Sequence, residues 1–170
     1  HLRPRRQRQM CIRDRVSTNA LNKEQLAEMV RGVEDLGYDT LWYPESTTYE
    51  SLAMGSFLLA NSSTLKVASG IANIYARDPF TAMSGHNSLN TLYEDRFCLG
   101  LGVSHIPLVT GRRGHTFGKP VATMRAYLEA MAAAEVDLKA PTQNIVLAAL
   151  GPRMLELSRA MTCLLYTSPS

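Results

Sequence analysis

Long apolar runs are missing from this chain of 170 residues. No stretch approaches the ~18–20 apolar residues that a membrane-spanning helix needs, so no membrane partner is expected. Cysteine is scarce as well, with three residues in all, and only Cys98 lies within residues 16–162. A single thiol cannot form an internal disulfide, which favours a reducing, cytoplasmic location. Histidine, cysteine and acidic residues nowhere recur at the spacing of a metal site, so no metal ion is expected.

The basic character of the chain is confined to its N-terminal segment. The whole sequence carries 18 basic and 15 acidic residues, but residues 1–15 hold six arginines and a single acid. One choice of codons for residues 10–14 has a reverse complement that, in a shifted frame, encodes residues 164–167 and supplies the last two bases of a codon for Cys163. Such an inverted repeat is typical of a translated sequencing adapter, so residues 1–15 and 163–170 are expected to be artefacts and are left out of the fold prediction. Residues 16–162 then carry 12 basic and 14 acidic residues, which gives no reason to expect a nucleic-acid partner.

The central segment alternates helical and strand patterns. Strand-like apolar runs lie at residues 40–43, 65–75, 96–104 and 144–150, and helical periodicity lies at 22–37, 49–61, 78–93, 120–131 and from 151 onward. Continuous apolar strands are typical of a parallel sheet that helices cover on both faces. Strict alternation of strand and helix indicates an α/β fold. The pattern alone leaves a doubly wound sheet and a barrel both open.

Polar residues and glycines cluster after every predicted strand. They are Glu45 and Ser46, Asn73 with Arg77 and Asp78, Ser104 and His105, and Gly151 with Pro152 and Arg153. A (β/α)8 barrel builds its active site from these strand ends, and a complete barrel needs ~250 residues. Residues 16–162 supply about half of that length. The expected fold is therefore the first half of a TIM-type (β/α)8 barrel, an open parallel sheet with helices.

Five segments carry a resemblance to a known family. They are residues 36–45 (LGYDTLWYPE), 68–79 (ASGIANIYARDP), 96–105 (RFCLGLGVSH), 111–115 (GRRGH) and 147–155 (LAALGPRML). In this order and spacing they resemble luciferase-like monooxygenases, and the last two resemble the F420-dependent branch of that family, over residues 21–160 in all. The resemblance implies an oxidoreductase that moves a hydride between coenzyme F420 and a small organic substrate. An FMN-dependent monooxygenase and a non-catalytic barrel scaffold are the alternatives, and the complete protein is compatible with a homo-oligomer.

The resemblance also implies where a flavin or deazaflavin lies, across the carboxyl ends of the strands. The family's third strand commonly ends in a non-prolyl cis peptide that bulges toward the ring, and this position matches Gly70-Ile71, with Asn73 just beyond it. Glu45 matches an acidic position near the ring system, where it would either hydrogen-bond the cofactor or fix its own loop. Relatives often carry histidine after that acid, whereas this chain has Ser46, so no proton donor is carried over to that position.

Two glycines of the fourth strand belong to the expected site. Gly100 and Gly102 share one face of their strand and leave room either for a ring or for tight barrel packing. They are not a dinucleotide fingerprint, which needs a third glycine opening a helix.

The long loop at 105–118 gathers basic and titratable groups. Loops over ~12 residues are usually functional, paired arginines suit a phosphate or carboxylate, and histidine can move a proton near neutral pH. A solvated basic loop is the alternative. The cofactor contacts are thus assigned to Gly70, Ile71, Asn73, Gly102, Ser104, Arg112 and Arg113, and the catalytic roles to Glu45 and His105. His86, midway along a polar-looking helix, is expected to be exposed.

Overall fold

A computed structural model describes residues 18–149, 151–162 and 164–166. The helices are α1 (Lys23–Asp35), α2 (Ser51–Ala60), α3 (Pro79–Leu92), α4 (Pro120–Ala132) and α5 (Pro152–Met161), with a π-helix at Pro107–Arg112 and a 3-10 turn at Thr142–Asn144. The strands are β1 (Thr40–Tyr43), β2 (Lys66–Ser69), β3 (Ala72–Asn73), β4 (Phe97–Gly102), β5 (Ile145–Ala148) and β6 (Leu164–Tyr166). The two terminal segments expected to be artefacts, 1–15 and 163–170, lie outside the described residues except for the backbone of 164–166.

Local side-chain chemistry starts the helices where the sequence predicts. The Asn22 side chain accepts from the Gln25 amide at 2.9 Å while the Gln25 side chain accepts from the Asn22 amide at 3.0 Å, which is a complete capping box. Asp78 caps α3 through the Thr81 amide at 2.9 Å, and Pro79 stands at the first helical position, where its missing N–H costs nothing. These caps fix where the chain turns back from each loop.

The strands form a parallel sheet whose spatial order follows the chain. The order is β1-β2-β4-β5-β6, with β3 paired to β4, and every described pairing is parallel. A doubly wound sheet reverses its direction of growth at a switch point, whereas a barrel adds each strand beside the last. The described part of the chain therefore winds as a barrel does, which confirms the predicted partial TIM-type barrel.

The predicted strand at 65–75 is interrupted. It divides into β2 and β3 around a cis Gly70-Ile71 bond, as the resemblance implied. Across the break the Ser69 hydroxyl replaces backbone pairing, because it donates to the Gly100 carbonyl at 3.0 Å and lies 2.9 Å from the Gly100 amide. One side chain thus satisfies both polar groups of the neighbouring strand that the interruption would leave unpaired.

The core lies between the sheet and its helices and consists mainly of leucine, valine and methionine. It includes Leu58, Val67, Leu99, Met124 and Leu147, all fully buried. The methionines at 124 and 131 are core residues, as their helical spacing predicts.

The expectation that His86 is exposed is wrong. This side chain is fully buried. Its Nε2 lies 3.3 Å from the Pro141 carbonyl oxygen, and its Nδ1 lies 3.3 Å from the side-chain nitrogen Nδ2 of Asn90. Burial lowers its pKa. The polar face of α3 is covered by the segment that leads into β5, a contact that helical periodicity cannot foresee.

Candidate active site

The carboxylate of Glu45 lies at the carboxyl end of β1 and is engaged on both oxygens. Its side chain is 3% exposed. One oxygen accepts the backbone amide of Asn73 at 2.6 Å, and the other accepts Nη2 of Arg77 at 2.6 Å. Of the two roles that the sequence left open for Glu45, these contacts support loop fixing, because the carboxylate already binds the ends of two other segments.

Arg77 is the main residue of this site that sequence reasoning did not assign. Its side chain is 5% exposed and bridges Glu45 and Glu50, with Nη2 2.6 Å from an oxygen of each. Burial by itself lowers the pKa of Arg77, but the two carboxylates raise it above its ordinary value. Its position just before Asp78, in the segment that resembles the family's third strand and loop, was the available signal.

Asn73 ends β3 and has one unsatisfied donor. The residue is 2% exposed. Its Oδ1 accepts the Tyr75 amide at 2.9 Å, and its carbonyl accepts Nη1 of Arg77 at 3.4 Å. The Nδ2 group is buried and has no hydrogen-bond partner. A buried donor without a partner costs about 1–3 kcal/mol, and this one lies at the carboxyl end of β3.

The space above the two glycines of β4 is filled by the protein itself. A Cβ on Gly100 would lie 2.0 Å from the Ser69 carbonyl oxygen and 3.4 Å from the Trp42 ring, and a Cβ on Gly102 would lie 2.7 Å from Ile71. Tight packing is therefore what both glycines permit in this structure. The contact assigned between Gly102 and a cofactor stays a prediction.

Gly70 and Ser104 follow β2 and β4, and each has a local feature of its own. Gly70 leaves room for Trp42, whose ring carbon would lie 3.3 Å from an added Cβ. Ser104 follows β4 with a φ of 60°, in the left-handed region that non-glycine residues rarely occupy. Such conformations persist where surrounding structure holds them, and they concentrate at functional sites.

The loop after β4 contains a π-helix that the sequence did not reveal. It turns back toward Glu45, and together with residues 45–50 and Ala76 it encloses a cleft of about 370 Å³ lined by Leu108, Arg112 and Arg113. Nη2 of Arg113 lies 3.7 Å from Glu45, and its Nε is buried without a hydrogen-bond partner. Arg112 is exposed at the same cleft.

His105 lies at the start of the loop. It is exposed and does not line the cleft, and its backbone carbonyl accepts the amides of Leu108 and Val109. The structure thus brings Arg112 and Arg113 to one cleft with Glu45, which also binds Asn73, and leaves His105 outside the lining of that cleft.

Tyr75 anchors the far end of this loop. Its ring stacks on Phe117 with centroids 5.8 Å apart, and its hydroxyl accepts the Gly118 amide at 3.0 Å. The loop is therefore fixed against the segment after β3 and forms a wall of the cleft.

Neither a metal centre nor a membrane span is found in the described ranges. No group of three or more histidine, cysteine or acidic residues there could hold a metal ion. No described helix is long and apolar enough to cross a membrane.

Comparison with known proteins finds a matching family and related sequences. A family model described as luciferase-like monooxygenase matches residues 9–160. A Mycobacterium tuberculosis protein, provisionally named as a coenzyme F420-dependent oxidoreductase, is 29% identical over 61% of this chain and 30% of its own length. The 5,10-methylenetetrahydromethanopterin reductase of Methanolobus tindarius is 28% identical over 78% of this chain and 46% of its own length.

A solved structure gives the same picture of the fold. The coenzyme F420-dependent tetrahydromethanopterin reductase of Methanopyrus kandleri superposes with a TM-score of 0.73 at 17% identity, covering 91% of this chain and 54% of that one. The chain spans about half, or less, of the length of these proteins.

Proposed function

The chain belongs to the luciferase-like monooxygenase family, and on that premise we propose that the complete protein is an oxidoreductase that moves a hydride between coenzyme F420 and a small organic substrate. Both curated relatives support the choice of reaction, since one is provisionally named for F420 and the other is a methylenetetrahydromethanopterin reductase. A cytoplasmic location, and assembly into a homo-oligomer, belong to the same proposal.

The buried donor of Asn73 is the observation that carries this proposal at the site. A deazaflavin or flavin ring presents carbonyl oxygens and unprotonated ring nitrogens, which are hydrogen-bond acceptors. Asn73 Nδ2 and Arg113 Nε are buried donors without partners at the carboxyl ends of the strands, where barrel enzymes bind their ligands. The residues present therefore fit such a ring.

The cofactor supplies the hydride chemistry when it is bound, and the protein orients it and excludes competing reactions. Asn73 would hold the ring, beside the Gly70-Ile71 segment. Arg112 and Arg113 would bind an anionic group of the cofactor or the substrate through forked hydrogen bonds. Glu45 would hold Asn73 and Arg77 in place, because both of its oxygens are already used. His105 would carry a proton to or from the reacting groups.

Equilibrium titration of the purified complete protein tests the proposal. We expect saturable binding of oxidised F420, followed by absorbance or fluorescence, and turnover that depends on reduced or oxidised F420. Binding of FMN in preference to F420, with substrate-dependent oxygen consumption, would replace the proposal with the monooxygenase. Binding of neither cofactor would leave the scaffold alternative.

A further inference from the structure

Asn73 is held by a contact on nearly every polar atom. Its amide donates to Glu45, its carbonyl accepts from Arg77, and its side-chain oxygen accepts from the Tyr75 amide. The last contact fixes the orientation of the carboxamide, because a backbone N–H requires the oxygen and not the nitrogen opposite it. Only the two hydrogens of Nδ2 are left over.

One guanidinium connects these contacts to the rest of the site. Arg77 binds Glu45, Glu50 and the Asn73 carbonyl. Glu50 in turn caps α2 through the Ala53 amide at 2.8 Å, and the Arg77 carbonyl accepts the Tyr127 hydroxyl of α4 at 3.0 Å. The ends of β1 and β3 and the adjoining helices are thereby tied together around Asn73.

We propose that Arg77 and Glu45 are positioning residues that fix Asn73 so that its Nδ2 donates a hydrogen bond to an acceptor atom of the bound ring. The acceptor is a carbonyl oxygen or an unprotonated ring nitrogen, since Nδ2 can only donate. The inference rests on the proposed function in so far as the ligand is F420 or a flavin. It also gives the Glu45 carboxylate a positioning role, because its two oxygens bind Asn73 and Arg77.

Arginine is required at position 77 because one planar group must satisfy three acceptors. Lysine would place a single ammonium where the fork of Arg77 reaches Glu45, Glu50 and the Asn73 carbonyl, and it cannot match that geometry. Replacing Arg77 by lysine therefore keeps the charge and removes the positioning.

A double-mutant cycle on the complete protein tests the inference, with Arg77→Lys, Asn73→Ala and both together. The dissociation constants for oxidised F420 and for FMN, kcat, KM and the thermal melting temperature are measured for each variant. Arg96→Lys is the matched control: Arg96 is also a partly buried arginine that binds backbone carbonyls, those of Leu59 and Leu65, but it stands at the amino end of β4, away from the ligand. Glu45→Gln is a second variant for the case in which Arg77→Lys does not fold.

We expect Asn73→Ala and Arg77→Lys each to weaken binding of the cofactor by about twofold to tenfold, the range of one neutral hydrogen bond. The double variant should bind no more weakly than Asn73→Ala alone, because residues that act through one contact are not additive. Arg96→Lys should lower the melting temperature and leave the dissociation constant unchanged. Three results would overturn this inference but leave the proposed function standing. They are additive losses of affinity in the double variant, unchanged affinity in the Arg77 and Asn73 variants, and an equal loss of affinity in Arg96→Lys. Failure of the wild-type protein to bind either cofactor would instead overturn the proposed function, and this inference with it.

Discussion

Replacing Gly100 by alanine should destabilise the protein strongly, and it tests whether this glycine serves packing or a ligand. The added Cβ would lie 2.0 Å from the Ser69 carbonyl oxygen, which is backbone and cannot rotate away. Relief of the clash separates β2 from β4 and weakens the two contacts of the Ser69 hydroxyl with Gly100. Overpacking typically costs about 1–3 kcal/mol, and each lost hydrogen bond adds about 0.5–1.5 kcal/mol. We expect a loss of roughly 3 kcal/mol or more in the free energy of unfolding.

Two further glycines calibrate this expectation. A Cβ on Gly102 would lie 2.7 Å from the nearest atom of the Ile71 side chain, which is β-branched and stiff but is not backbone, so Gly102→Ala should cost about 1–3 kcal/mol, less than Gly100→Ala. Gly32 lies within α1, and nothing approaches its added Cβ within 4 Å. Gly32→Ala should stabilise the protein by about 0.5–1 kcal/mol, since glycine is costly inside helices.

Urea denaturation followed by circular dichroism, on the complete protein without cofactor, measures the three variants. The expected order of stability is Gly32→Ala, wild type, Gly102→Ala and Gly100→Ala. Unfolding of Gly100→Ala within about 0.5 kcal/mol of the wild type would refute the packing argument. Unchanged stability together with lost cofactor affinity would show that Gly100 clears space for the ring.

Further expectations concern the cleft, His105 and acid stability. Arg112→Ala or Arg113→Ala should weaken cofactor or substrate binding by roughly tenfold to a hundredfold, as the loss of a charge-assisted bond of ~1.5–3 kcal/mol implies. Lys119→Ala is the control, because Lys119 lies outside the cleft lining. Equal affinity in all three variants would show that the loop is a solvated basic surface and not part of the binding site. His105→Ala should lower kcat by ~10²–10⁴-fold with little change in KM or melting temperature if it moves a proton, and wild-type turnover would remove that role. The backbone amides of Thr64, Ser63 and Leu65 lower the pKa of Glu34 to about 2, so this carboxylate stabilises the fold fully above its unfolded pKa near 4.5, and the contribution is lost as the pH falls toward 2. The stability difference between the wild type and Glu34→Gln should therefore be constant from pH 7 to 5 and shrink below that in urea titrations, and a difference that does not change with pH would contradict the assignment.

Features that depend on neighbouring residues in the chain could be predicted from the sequence. The caps at Asn22 and Asp78, the buried apolar strands and the helical stripe at Met124 and Met131 all follow from side chains that interact within a few positions. The cis bond at Gly70-Ile71 was implied by the family resemblance and is present. The assignments of Asn73, Arg112 and Arg113 stay predictions, although Asn73 and Arg113 contact the Glu45 carboxylate and Arg112 lines the same cleft.

Tertiary structure alone decided the features that join distant segments. Apolar periodicity is the same in a doubly wound sheet and a barrel, so the barrel predicted from the polar strand ends needed the order of the paired strands to confirm it. The burial of His86 depends on a segment more than fifty residues away, and the glycines of β4 fit Ser69 and Ile71 from another part of the chain. Arg77 gained its role for the same reason, because the carboxylates that hold it lie 32 and 27 positions earlier, and a sequence pattern carries no record of which distant charges folding will bring within 3 Å.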